Sequence, residues 1–262
     1  MRKAVVIQFL VVLVTLMLVS PVLRTSAGNG TVTKSRIINV AEDAYVVAYL
    51  NDVNDVQDLR ERNYGSLDFV KTWYLWNVGE EGGREVESEK IISAIYLKFD
   101  LGAVQDKKIE SAMLQLYARD VSLVSPRIVQ VFPVSSDWSE STINFTSRPA
   151  WGTSAVASTI VYRSNHWYAW DVTDQVTREK RPEQISFVVV LRDMEPGMEE
   201  LVAFYSREAQ AKVPRLVVTY TEAEIAIPWS WWCIGGIVIA AIATVAFFAG
   251  LKCKSSAKMG QF

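Results

Sequence analysis

The apolar positions of this chain fall into three regimes. Residues 4–20 form an almost unbroken apolar run near the N-terminus, and residues 234–251 form a second near the C-terminus. Between them, short stretches rich in Val, Ile, Leu and aromatic residues alternate with polar positions at period two. That is the period of an extended strand, whose successive side chains point to opposite faces. The clearest case lies in 109–117, where Ala112, Leu114 and Leu116 alternate with Met113, Gln115 and Tyr117. The pattern predicts strands at 36–40, 44–49, 67–78, 91–100, 109–117, 127–134, 155–161, 167–172, 185–191, 202–206 and 216–220. Loops are predicted at 51–58, which is acidic and closed by the turn formers of 60–65, and at 80–89, which is charged and contains Gly82 and Gly83. One capped helical turn is predicted at 171–176, with Asp171 or Thr173 accepting hydrogen bonds from free backbone amides. Many short strands with almost no helix give an all-β fold, a jelly-roll β-sandwich.

The flanks of the two apolar runs assign them different roles. Segment 234–251 carries no charge and no Pro and is long enough to cross a bilayer as a single helix. Trp229, Trp231 and Trp232 crowd its N-terminal side like an interfacial belt. Lys252, Lys254 and Lys258 follow it without an acid among them, which marks the cytoplasmic side. The N-terminal run follows Arg2 and Lys3 and precedes the small residues 25–27, the parts of a secretory signal peptide. It is also long enough to stay as an anchor, and on either reading the domain after it is exported. The organisation predicted is a signal peptide at 1–27, a linker at 28–35, the β-sandwich at 36–224, a juxtamembrane aromatic segment at 225–233, a transmembrane helix at 234–251 and a basic cytoplasmic tail at 252–262. This is a single-pass protein of the cell membrane with an extracellular N-terminal domain.

Charge sharpens that picture. The chain's formal charge is −2, yet six of its 27 basic residues lie outside 28–224 while all 29 acids lie inside, so the ectodomain holds 21 basic against 29 acidic residues, about −8. An acidic ectodomain argues against nucleic acid, whose phosphates need a basic face. The two cysteines, Cys233 and Cys253, sit at the edges of the apolar C-terminal run, so the ectodomain folds without a disulfide. Asn29 and Asn144 each begin an N-glycosylation tripeptide. The acids of loop 51–58 are hard oxygen donors of the kind Ca²⁺ takes, but their spacing is not that of an EF-hand and no Glu closes it. A solvated loop is the reading kept, with a structural Ca²⁺ site as the alternative; no other cofactor is expected.

Catalysis finds little support. The single histidine, His166, would have to serve any Ser-His-Asp system, and no G-x-S-x-G motif accompanies it. One histidine and no ectodomain cysteine cannot make the usual three- or four-ligand zinc site. Asp137 and Glu140 flank Trp138 too closely for a glycosidase pair and read as turn residues bonding local backbone.

An ordered set of short motifs runs along the ectodomain. It comprises Asn63-Tyr64-Gly65, then Tyr96-Leu-Lys-Phe-Asp100, Ser111-Ala112-Met-Leu-Gln-Leu-Tyr117, Asp137-Trp-Ser-Glu140, Pro149, Trp167, Asp171-Val-Thr173, Ser206-Arg-Glu-Ala209 and Pro214-Arg-Leu216. From about Val40 to Tyr220 this order resembles the DNRLRE-type domain, also described as carbohydrate-binding module family 96. The resemblance implies a jelly roll without a catalytic centre, carried on cell-surface proteins and polysaccharide-degrading enzymes, some members binding the acidic polysaccharide alginate through basic side chains. Here no enzyme domain accompanies the module, and the net acidity opposes an alginate-like ligand unless a local basic patch overrides it. Arg207, Glu208 and Arg215 read as a structural ion-pair set.

The function expected is therefore non-catalytic binding of a polysaccharide or cell-envelope glycan. The alternative is a structural or adhesion protein that binds surface-layer proteins, other envelope proteins or itself through sheet edges. Sugars lie their C–H patches against aromatic faces, and the candidate rings are Trp73, Tyr74, Trp76, Trp151, Trp167 and Tyr168. Tyr168 and Trp170 share a face with Val172 and are assigned to the core. The predicted site is Trp73, Trp76 and Trp167, with Lys71 and Arg84 as polar partners.

Overall fold

The computed structural model describes residues 31–49, 57–81, 84–178, 182–192 and 195–223. Their elements are β1 (Thr31–Asn39), β2 (Glu42–Tyr49), α1 (Gln57–Glu61), β3 (Phe69–Glu81), β4 (Arg84–Asp100), a 3-10 turn at Gly102–Val104, β5 (Lys108–Ser122), β6 (Arg127–Val134), β7 (Ala157–Val161), β8 (His166–Asp171), α2 (Thr173–Val176), β9 (Gln184–Leu191), β10 (Met198–Tyr205) and β11 (Arg215–Ala223). The fold is all-β and fits a β-sandwich. Hydrogen bonding runs β1-β11-β5-β10-β3-β4-β9-β6-β7, with β8 on the remaining edge of β5 and β2 on that of β4. One leaf is thus built around β5 and the other around β4, and the β10–β3 pair joins them. Residues Thr33–Glu222 form one compact unit.

The burial patterns explain why some strands alternate in sequence and others do not. β5 buries Ala112, Leu114, Leu116 and Ala118 and turns Met113, Gln115, Tyr117 and Arg119 outward. β2 and β9 are buried along nearly their whole length and read as near-continuous apolar runs. Their alternate residues enter two separate cores. Tyr45, Val47, Ile95, Leu97, Phe187 and Val189 join Leu114, Leu116, Trp170 and Phe204 in the larger one. Ala44, Val46, Ala94, Tyr96, Val188 and Val190 face the other way, onto Phe132, Trp138 and Ile143. Trp138 and Ile143 belong to the long irregular segment 135–156 between β6 and β7, which packs on the second face of that leaf. Tyr96 donates from its hydroxyl to the carbonyl of Pro149 at 2.8 Å, and Trp138 Nε1 donates to Ser186 at 3.1 Å. Buried Lys98 closes the region, bonding Glu42 at 2.9 Å and the carbonyl of Trp138.

Several expectations change in detail. The predicted loop at 80–89 is strand instead: β3 runs on to Glu81, β4 begins at Arg84, and Glu81 lies opposite Arg84. The ladder there is a backbone register, with Glu80 opposite Glu85 and Gly79 opposite Val86. α1 was read as loop; a tertiary contact fixes it, the Arg60 guanidinium donating to the carbonyl of Tyr49 at 2.7 and 3.2 Å. The turn at 173–176 forms as expected, with Asp171 Oδ1 accepting from Thr173 N at 3.0 Å. Asp137 is local, bonding Ser135. Glu140 is not, since its carboxylate meets Arg207 across 67 residues of chain. Asn144 lies in segment 135–156, where its Oδ1 accepts from the amides of Thr146 and Ser147. The signal peptide, Asn29, the acids of 51–56, the aromatic segment and helix 234–251 lie outside the described residues. Among the described residues no helix is long and apolar enough to cross a membrane.

Gly65 shows how segment 135–156 is held. Asn63 Nδ2 donates to the carbonyls of Glu140 at 2.6 Å and Ile143 at 2.8 Å, and its Oδ1 accepts from Gly65 N at 3.2 Å. A Cβ on Gly65 would sit 2.4 Å from the carbonyl oxygen of Glu140. Gly65→Ala is therefore expected to cost about 1–3 kcal/mol by overpacking, measured by denaturant unfolding of the purified chain; an unchanged midpoint would refute this role of the close approach.

Candidate functional site

Segment 135–156 does not cover its leaf completely. Between its end and β3 lies a cleft of about 370 Å³. Ile92 and Ala94 of β4 and Val190 and Leu191 of β9 line it beside Trp73 and Tyr74 of β3, Phe145 and Trp151 of the segment, and the cations Lys90 and Arg192. None of these lining residues is acidic. Trp151 stands edge-on to Tyr96 at 6.2 Å, which ties it to the core below. The guanidinium of Arg148 lies 3.4 Å from the centroid of Phe145 and 5.2 Å from that of Trp151, and it donates to the carbonyl of Phe145. Burial lowers the Arg148 pKa, and the Arg60 charge nearby acts in the same direction. Long irregular segments inside compact domains are uncommon and usually carry function. This one presents two rings, Phe145 and Trp151, to a concave surface whose floor is largely apolar.

The structure separates the five residues read from the sequence. Trp73 lines the cleft, and its Nε1 is buried without a hydrogen-bond partner. Lys71 lies on the same strand, its ammonium 4.5 Å from the Trp73 ring centroid and 5.6 Å from that of Tyr45. Half-burial lowers its pKa. Trp76 is next to the cleft, edge-on to Tyr74 at 6.4 Å, with its Nε1 also buried and unpaired. The cation over Trp76 is Lys90, directly opposite it in the ladder, with Nζ 3.9 Å from the ring centroid. Arg84 is six residues further along β4, roughly 20 Å away at strand rise, so the expected Trp76–Arg84 pairing is replaced by Trp76–Lys90. Lys90, Arg192 and Phe145 lie outside the site predicted from the sequence, in which Trp151 is a candidate ring only.

Trp167 belongs to a different cluster and does not line the cleft. It stacks edge-on against Tyr117 at 5.3 Å and lies under Arg215, whose guanidinium carbon is 4.0 Å from the indole centroid. Tyr117 continues to Tyr205 at 5.9 Å, with Lys212 3.9 Å from the Tyr117 centroid and Arg119 5.8 Å from that of Tyr205. Arg215 thus joins this cluster and not the Arg207–Glu208 pair. Here each ring is already matched to a cation. His166 starts β8 beside it, bonded to Arg163 at 3.1 Å.

Comparison with known proteins agrees with the motif reading. The sequence profile of carbohydrate-binding module family 96 matches residues 38–220. A curated relative, a gellan lyase from Bacillus sp, is 27% identical over 132 residues, which is 47% of this chain and 5% of that protein. The chain therefore spans only a small part of that lyase's length.

Proposed function

The chain belongs to carbohydrate-binding module family 96, and from that membership we propose that it holds an acidic polysaccharide at the cell surface without cutting it. The observation that carries the reading is the cleft, where aromatic walls formed by Trp73, Phe145 and Trp151 meet cations at Lys90 and Arg192 and no lining carboxylate opposes them. Rings accept the C–H faces of sugars, and a guanidinium or ammonium recognises a sugar carboxylate through charge-assisted hydrogen bonds. Among the described residues that line the cleft the charged ones are basic, whatever the net acidity of the ectodomain. Against a glycosidase, the non-catalytic reading is supported by the described lining of the cleft, which offers no paired carboxylates for acid–base work. The jelly-roll topology, export by residues 1–27, anchoring by helix 234–251, and glycosylation at Asn29 and Asn144 complete the proposal on the strength of the sequence.

Affinity electrophoresis of the full-length chain in mild detergent, against anionic and neutral polysaccharides, tests it. Retention by an anionic polymer is expected, weakened about ten- to a hundredfold in Lys90→Ala or Arg192→Ala by loss of a charged hydrogen bond, with no release of reducing ends. Equal retention of both variants, or polymer cleavage, would overturn it.

A second reading has its own observation. β7 ends the hydrogen-bonded path, and Ile160 on it lies opposite Ile128, both exposed, close to exposed Tyr162. An apolar terminal strand is a template for pairing with a second copy. Light scattering decides: a concentration-dependent dimer abolished by Ile160→Lys would favour self-association at the envelope.

A further inference from the structure

Three carboxylates far apart in sequence converge at one end of β2. Asp43, Glu140 and Glu208 each place a carboxylate oxygen within 4.8 Å of the others. They come from β2, from segment 135–156 and from the loop between β10 and β11. Ordinary ion pairing accounts for part of the arrangement. Arg207 Nη2 meets Glu140 Oε2 at 2.8 Å and Glu208 Oε1 at 2.9 Å, and Arg207 N donates to Asp43 Oδ2 at 2.7 Å. The neighbouring Glu42 is matched by Lys98. One group is left over. Asp43 is fully buried, and its Oδ1 has no hydrogen-bond partner. A buried carboxylate oxygen without a partner costs several kcal/mol, so Asp43 calls for a proton or for a cation beyond Arg207.

We propose that Asp43, Glu140 and Glu208 hold a hard divalent cation, Ca²⁺ first among them, which ties β2, segment 135–156 and the β10–β11 loop together. Three carboxylates less Arg207 leave a formal charge of −2, which one divalent ion neutralises. The donor set is all oxygen, the chemistry of Ca²⁺ and Mg²⁺ and not of softer metals. Oxygens bound to one Ca²⁺ at 2.3–2.6 Å lie at most about 5 Å apart, which matches the spread of the three. Each carboxylate oxygen keeps a lone pair beyond the one Arg207 takes. Glu140 and Glu208 side chains are 12% and 26% exposed, so solvent reaches both and can complete the shell of an ion. Asn63 and the close approach of Gly65 fix the backbone of Glu140. The motifs around Asn63, Glu140 and Glu208 thus meet at one point, and none of the three carboxylates belongs to the acidic loop 51–58.

Calorimetric titration of the chelator-treated full-length chain with CaCl₂, and separately with MgCl₂, tests the site alongside thermal unfolding. One ion per chain is expected, with Tm raised by about 5–10 °C at a hundredfold excess over Kd. Asp43→Asn is expected to weaken binding at least tenfold, and so is Glu208→Gln, a half-exposed position that decides the matter if the Asp43 variant does not fold. Three results would each overturn the site: no heat and no Tm shift with either ion, undiminished binding in Glu208→Gln, or loss of binding only when Asp52, Asp55 and Asp58 are changed to Asn. The last would place the ion in the acidic loop instead.

Discussion

With chelator present, the midpoint of thermal unfolding is expected to fall as pH is raised from about 5 to 8. The cause is Asp43. Burial, reinforced by Glu208 and Glu140 close by, pushes its carboxyl up from an ordinary 3.8 to about 8. Between those values the folded chain keeps a proton that the unfolded chain has released. Folding therefore binds a proton, and stability declines with rising pH at about 1.4 kcal/mol per unit for one group. Every charged group facing Asp43 enters the account. Glu140 is also raised, by burial first, and adds to the decline in the same direction. Glu42 is lowered through Lys98 and the amide of Glu140, against a burial effect that raises it, so it matters only below its ordinary range. Arg207 is raised and stays charged throughout. Asp43→Asn, which fixes the neutral form, should flatten the slope. Saturating Ca²⁺ should flatten or reverse it, because a cation displaces the proton and binds more tightly as pH rises. A midpoint that holds steady or climbs from pH 5 to 8 in chelator would refute the assignment.

Strand positions were legible because burial is periodic. One-sided strands such as β5 alternate, and strands buried on both faces, β2 and β9, show as short apolar runs bounded by turns. The family resemblance was legible from motif order and is shown by the match at 38–220. What escaped was whatever depends on register or on contacts across long loops. Counting back from Glu81 opposite Arg84 would place Glu89 opposite Trp76. A bulge between Asn77 and Val78 slips the ladder by one residue and puts Lys90 there instead. One residue of slip exchanges a carboxylate for an ammonium over the indole. No local pattern marks such a bulge. The cleft was hidden for a related reason: Phe145 and Trp151 sit in a segment without periodicity, and only the packing of Trp138 and Ile143 onto the leaf brings them opposite Trp73 and Arg192. The carboxylate cluster draws on two motifs that each look locally satisfied and on Asp43, which lies in neither. Asp-Trp-Ser-Glu reads as a turn and Arg207-Glu208 as an ion pair, so neither announces Asp43.

Alanine at Trp170 and at Trp151 should separate core from site most sharply. Trp170 is 1% exposed, donates from Nε1 to the carbonyl of Val129 at 2.9 Å and stands edge-on to Phe204 at 6.1 Å. Its removal leaves a cavity in the larger core and an orphaned carbonyl, an expected loss of about 3–5 kcal/mol. Trp151 is half-buried at the cleft, with one edge against Tyr96 and Arg148 beside it. Its truncation should cost far less stability but lower polysaccharide retention at least about tenfold, as for a ring at the centre of a contact surface. Trp73→Ala should do both, because that ring lines the cleft and also packs against the larger core. Trp167→Ala should spare retention, since its partners Tyr117 and Arg215 lie outside the cleft. Chemical denaturation and affinity electrophoresis on the same four variants give the two readouts independently. If Trp167→Ala abolishes retention and Trp151→Ala leaves it intact, the polysaccharide lies on the β5–β8 face and the cleft is not its site.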